Sequence, residues 1–222
     1  MMTQNATEAD GALAPGAEDA HTEEPSSEPG KAEENKTDEA AKAAPEFESW
    51  SAVPAAKGSS ITSVEHAGAP HIYYIGEDNM VQEILWTGSN WAYSNTGEKA
   101  NAEPAAKGSS ITSVEHAGPH IYYIGEDNMV QEILWTGSNW AYSNTGEKAN
   151  AEPAAKGSSI TSVEHAGAPH IYYIGEDNMV QEILWTGSNW AYSNTGEKAN
   201  AEPAAKGSSI TSVEHAGAPH IY

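Results

Sequence analysis

The chain of 222 residues has no cysteine, and all ten of its basic residues are lysine, so arginine is absent as well. Without thiols there is no disulfide and no thiolate-held zinc, and any redox compartment is compatible. The net charge is −22, and the lysines fall in turns and in the N-terminal stretch. Nucleic-acid affinity rests on clustered positive charge, and attraction to anionic lipid rests on the same, so neither partner is expected. No apolar run approaches the roughly 20 residues of a membrane-spanning helix. Nothing near Met1 combines a basic start with the apolar segment of a leader peptide. The expectation is no membrane insertion, and either cytoplasmic residence or release by a route that needs no leader.

Large apolar side chains are also scarce at the N-terminus. Residues 1–45 are mostly Ala, Glu, Pro, Ser, Thr and Gly, with Leu13 the main exception. Such a segment cannot bury enough surface to offset the entropy of ordering. The composition predicts a disordered acidic tail over 1–45 and a folded region over 46–222.

The folded region is a repeat. The stretch Pro54 to Glu103 recurs from Pro104 and from Pro153, and begins again at Pro203 before Tyr222. Ala69 has no counterpart between Gly118 and Pro119; otherwise the copies are identical. The units are 54–103, 104–152 and 153–202, with a partial unit at 203–222. Whatever one copy does is therefore done several times.

A period of 40–50 residues with several short strands per unit is the sequence signature of propeller blades. Each unit reads as four strands, here 61–66, 71–75, 80–86 and 91–95, rich in β-branched and aromatic residues. Ala67–Pro70, Gly76–Asn79 and Thr87–Asn90 supply turn residues between them. Ile72 and Tyr74 point to one face and Tyr73 and Ile75 to the other, so both faces need cover, as in radially stacked sheets. The predicted fold is an all-β β-propeller of four-stranded blades, three complete and one partial. Propellers typically close with four to eight blades. Two expectations stand side by side: the chain is a piece of a longer repeat array, or a homo-oligomer closes the ring, with a strand from Phe47–Val53 of one chain completing the partial last blade of another.

Three constellations of polar residues merit weighing. His66, His71 and a carboxylate could ligate a metal, but their spacing matches no established motif, so no metal and no cofactor is expected. Glu77 or Asp78 with Glu83 could form a carboxylate pair, yet the first two sit in a turn where solvent satisfies them; no enzyme is expected. Glu83 and Trp91 with His71 could bind a sugar, the carboxylate and imidazole taking hydroxyls and the indole covering an apolar face. The residues alone equally allow Trp91 as core and Glu83 as a partner for His71 or backbone. Trp86, which ends the third strand, reads as a folding residue.

The segments Ser60–Val64, Ile72–Tyr74, Gln82–Glu83 and Trp86–Trp91 resemble the blade pattern of the fungal fucose-specific lectins and related propeller lectins. In that family a strand reading Ile-Arg-Val-Tyr-Tyr precedes a turn, then Arg-Glu or Gln-Glu, then Cys-Trp-Asp-Gly-x-Gly-Trp. The resemblance implies sugar sites between adjacent blades, where an Arg and a Glu of one blade bind hydroxyls and a Trp of its neighbour stacks. Carried over by position, the Glu falls on Glu83, Glu132 and Glu182, and the Trp on Trp91, Trp140 and Trp190. The Arg position holds His71, His120, His170 and His220, a departure, because histidine lacks the fixed fork of guanidinium donors. The resulting expectation is a multivalent carbohydrate-binding protein whose partners are glycans. The competing one is a protein-interaction scaffold on the same fold.

Overall fold

The computed structural model describes residues 52–222; the expected acidic tail, and most of the strand expected at Phe47–Val53, lie outside them. Within each repeat the chain runs as an antiparallel meander. The first sheet comprises β1 (Ile61–His66), β2 (Ala69–Ile75), β3 (Val81–Trp86) and β4 (Trp91–Asn95), hydrogen-bonded in that order. The second holds β5 (Ile111–Glu115), β6 (Pro119–Ile124), β7 (Val130–Trp135) and β8 (Trp140–Asn144). The third holds β9 (Ile160–His165), β10 (Ala168–Ile174), β11 (Val180–Trp185) and β12 (Trp190–Asn194). A hairpin of β13 (Ser212–His215) and β14 (Ala218–Ile221) follows. These are propeller blades, and among the described residues they do not close into a ring.

Residues expected in the first turn join the ladder. Ala69 pairs with His66 and Pro70 with Glu65, leaving Ala67 and Gly68 as a tight turn with φ of 51° and 77°. Positive φ at both central residues matches the right-handed twist of the flanking strands. The next turn is held by Asp78, whose Oδ1 accepts from Met80 N and from Gln82 Nε2, both at 3.0 Å.

After each fourth strand comes a short helix that the strand pattern does not reveal: α1 (Thr96–Ala100), α2 (Thr145–Ala149) and α3 (Thr195–Lys198). Asn95 caps α1, its Oδ1 accepting from Glu98 N at 3.1 Å, and Asn101 ends it in the left-handed region. A Cβ on Gly97 would stand 2.9 Å from Val81 N, so glycine lets the helix lie directly on the start of β3.

The core lies between blades. Tyr73, Ile75 and Val81 of the first blade pack on Ile111, Ile121, Tyr123 and Ile133 of the second. Tyr122, Ile124 and Val130 meet Ile160, Ile171, Tyr173 and Ile183 of the third in the same way. This explains why both faces of the middle strands are apolar. The innermost strands carry two unlike faces. Thr62 Oγ1 meets Ser113 Oγ at 2.8 Å, Thr112 meets Ser162 at 2.9 Å, and Thr161 meets Ser212 at 2.9 Å. His66 and Glu115 add a 2.9 Å contact, as do His165 and Glu214. Each blade thus offers Thr forward to Ser of the next, and the first and third blades add His forward to Glu.

The residue missing from the middle blade has a local effect. Pairing of β5 with β6 ends at Glu115 and Pro119, and Gly118 takes φ +145°. A Cβ there would stand 2.9 Å from the Trp135 carbonyl oxygen, so only glycine fits. His116 is thereby drawn off the inner-strand ladder.

Candidate functional site

On β2 the side chains of His71 and Tyr73 share a face, and Tyr73 lies directly opposite Glu83 on β3. That register brings the three groups together. Glu83 Oε1 is 2.8 Å from His71 Nδ1 and accepts from the Tyr73 hydroxyl at 3.1 Å, while Thr96 Oγ1, at the start of α1, donates to Oε2 at 3.5 Å. The middle blade repeats the set at 2.8, 3.1 and 3.3 Å around Glu132, with His120, Tyr122 and Thr145. The third blade does so at 2.9, 2.8 and 3.2 Å around Glu182, with His170, Tyr172 and Thr195. Glu83 and Glu132 are buried, and a carboxylate withdrawn from water needs such partners.

The ionisation of the set follows from its burial. Desolvation first, then the charge and hydrogen bond of the neighbouring glutamate, raise the pKa of Tyr73 and Tyr122. Each phenol is thus kept as a proton donor to its carboxylate. For Glu182 burial alone would raise the pKa, but hydrogen bonds from His170, Tyr172 and Thr195 and the His170 charge outweigh it and hold the value below 4.5. A depressed folded pKa contributes stability that is fully present above the unfolded value and is lost as pH falls through the folded one. Thermal melts of wild type and Glu182→Gln should therefore differ most above pH 4.5 and converge below it. A gap that widens with acid would contradict this ionisation state.

The tryptophans come from the following blade. His71 and Glu83 line a cleft of 520 Å³ with Trp140, and His120 and Glu132 line one of 730 Å³ with Trp190. These volumes suit a small ligand. Trp140 stands edge-on to Tyr73, ring centroids 6.2 Å apart, and Trp190 meets Tyr122 at the same distance. Trp91 does not join His71 and Glu83 of its own blade; it lies edge-on against Trp86 at 5.4 Å and is 40% exposed, against 9% for Trp190. His170 and Glu182 face the β13–β14 hairpin, which carries His220 on β14 and, among the described residues, no tryptophan.

Other lining residues escaped the sequence reading. Trp86 and Trp135 line the first cleft and Trp185 the second, so these half-buried indoles border the sites rather than serving the core alone. The signal was the register, since Trp86 is directly opposite Trp91 on β4. His66 and the displaced His116 also reach the clefts. Among the described residues no group of three His, Asp or Glu could hold a metal ion. Among those residues, too, no helix is long and apolar enough to cross a membrane.

No family model matches the chain, and no curated protein matches it. Solved structures do. It is similar to the SapL1 lectin in complex with alpha methyl fucoside, at 23% identity and a TM-score of 0.58, over 77% of this chain and 54% of that one. AofleA from Arthrobotrys oligospora matches at 16% identity and 0.58, over 75% and 49%. A fucose-specific lectin from Aleuria aurantia matches at 17% and 0.55, over 72% and 52%. The chain has the fold of these propeller lectins. It spans about half the length of each. At this identity the likeness concerns the backbone, and the chemistry of the clefts rests on the distances above.

Proposed function

We propose that the protein is a multivalent, non-catalytic carbohydrate-binding propeller whose sites lie between blades. The observation that carries this reading is the convergence, in two separate clefts, of a buried imidazole–carboxylate pair from one blade with an indole from the next. In the first cleft the residues are His71, Glu83 and Trp140; in the second, His120, Glu132 and Trp190. A sugar's vicinal hydroxyls suit the one acceptor site left on the glutamate Oε2 and the imidazole Nε2 left over once Nδ1 is engaged. Its C–H face suits the indole. The alpha methyl fucoside in complex with the similar SapL1 lectin sets the first sugar to try.

The carboxylate count supports binding rather than glycoside hydrolysis. Glycoside hydrolysis uses two carboxyl groups across a cleft, whereas each cleft here is lined by one, Glu83 or Glu132. Each of these carboxylates is also held by three side chains. Repeated weak sites on one rigid body raise avidity toward a glycan-bearing surface by orders of magnitude.

A glycan array, followed by calorimetric titration with α-methyl fucoside, tests the proposal. Binding of a monosaccharide, with weak single-site affinity and strong retention on multivalent surfaces, is the expected result. Silence across the array would overturn it in favour of an interaction scaffold.

A further inference from the structure

We infer that the two clefts are not equivalent: the residue missing between Gly118 and Pro119 reshapes the second so that it takes a two-unit saccharide, where the first takes a single sugar. This deepens the reading of the clefts as sugar sites and rests on it.

Copies identical elsewhere build both clefts, so that residue is their one difference in sequence. In the first blade Ala67, Gly68 and Ala69 form a regular turn, and all three border the first cleft together with Trp86. A Cβ on Gly68 would meet nothing within 4 Å, so this turn stands clear of its surroundings. The shortened turn of the middle blade does not. A Cβ on Gly118 would lie 2.9 Å from the Trp135 carbonyl oxygen and 3.5 Å from its Cδ1, so the turn rests on that tryptophan. Neither Ala117, Gly118 nor Trp135 borders the second cleft, and one wall is thereby withdrawn. The second cleft holds 730 Å³ against 520 Å³ in the first. The difference is several times the roughly 30 Å³ of a water molecule, so a second sugar unit has room.

The same shortening releases an imidazole. His66 Nδ1 and Glu115 of the next blade are 2.9 Å apart, a strap across the first cleft, and His165 and Glu214 repeat it. β5 ends at Glu115, ahead of His116, whose backbone N donates to Gly118 O at 2.9 Å. Among the described residues no carboxylate holds the His116 ring, which borders the second cleft; Glu164, its partner by position, is exposed. The second cleft is therefore open where the first is tied shut.

Across the cleft from His116, β8 and α2 offer polar groups. Ser143 is 6% exposed, its hydroxyl has no partner among the described residues, and it borders the second cleft with Lys148. A buried hydroxyl left unpaired is unfavourable, so a ligand oxygen placed there is a gain. In the third blade Lys198 Nζ donates to the equivalent Ser193 at 2.8 Å. No such contact engages Ser143, and both groups are left for a ligand. Ser94 is unpartnered too, but it does not border the first cleft. One sugar unit sits on His120, Glu132 and Trp190, and the second reaches Ser143 and Lys148.

Glu83→Gln leaves the second cleft to be read alone, and Glu132→Gln leaves the first. Calorimetric titration with α-methyl fucoside and with a fucosyl disaccharide should show a preference for the disaccharide of at least about tenfold in Glu83→Gln, the worth of one or two added hydrogen bonds, and none in Glu132→Gln. Inserting alanine between Gly118 and Pro119 in the Glu83→Gln background restores the sequence of the other blades and should abolish the preference; Ser143→Ala should cut it severalfold. Equal preference in the two clefts, or one that survives the insertion or Ser143→Ala, would overturn the inference. Nitrogen NMR of the histidine rings reads the difference without sugar. His66 and His165 should show a proton fixed on Nδ1 against the carboxylate, His116 should lack it, and the insertion should give His116 the pattern of His66. A wild-type His116 locked as His66 is would also overturn the inference. Unlike rings with no sugar bound in either background would overturn the sugar reading, and the saccharide assignment with it, while leaving the two clefts distinct.

Discussion

The double variant Trp140→Ala, Trp190→Ala is expected to weaken sugar binding at both complete clefts by at least about 30-fold, the scale of a central aromatic anchor worth roughly 2 kcal/mol or more. Each indole is the ring that the following blade sets edge-on to Tyr73 or Tyr122, at 6.2 Å between centroids. The carboxylate and imidazole would remain, since their hydrogen bonds lie within the preceding blade. Titration of the folded double variant decides the matter, and unchanged affinity would remove the indoles from the site. Some loss of stability accompanies the change, because Trp140 and Trp190 also pack against the inter-blade cores. Circular dichroism must therefore confirm the fold before binding is read.

Ile121→Ala should lower unfolding free energy by about 2–5 kcal/mol, the range for emptying a well-packed core site. Its side chain is fully buried between the first and second blades. The equivalent Ile72 is only half-buried, because among the described residues no blade packs on that face. Ile72→Ala should cost clearly less, because the same atoms leave a partly solvated site. Urea melts of both variants give the comparison, and equal losses would contradict the inter-blade core. Binding should suffer at both clefts in Ile121→Ala, since the middle blade supplies Trp140 to one and His120 with Glu132 to the other.

Much of the scaffold was legible in the residues because strands report themselves by alternation. Tyr73 and Ile75 against Ile72 and Tyr74 required cover on both faces, and the blades supply it. The pairing of His71 with Glu83 was one of two open readings, and β-sheet register decides it, since residues 71 and 83 meet only if Tyr73 lies opposite Glu83. The blade that presents the indole to each pair is a matter of tertiary order, to which a period of two is blind; Trp91 therefore stands apart from His71 and Glu83. The helices at Thr96, Thr145 and Thr195 are below the length at which helical periodicity can be read. Only the asparagine caps marked them. That Trp86 also borders the first cleft is not legible in the residues, because a tryptophan ending a buried strand and one bordering a cleft look alike in sequence.

The absent residue between Gly118 and Pro119 bears on how the chain reaches this state. The hairpins Ile61–Ile75 and Ile160–Ile174 are interchangeable in sequence, and Ser212–Ile221 repeats part of both. An exchange among them would satisfy nearly every contact while wiring the chain wrongly, which is the kind of trap that tandem repeats invite. The middle hairpin alone has its own shape, with Gly118 at φ +145° against Trp135. It cannot be lent to its neighbours without a shift in register. The short loop Gly76–Asn79 and its copies close each meander locally, faster than distant hairpins can meet. Emergence from the ribosome one blade at a time should therefore give correct connectivity, and refolding from denaturant should give a slower, mixed population in which the middle blade is the first to be correctly placed.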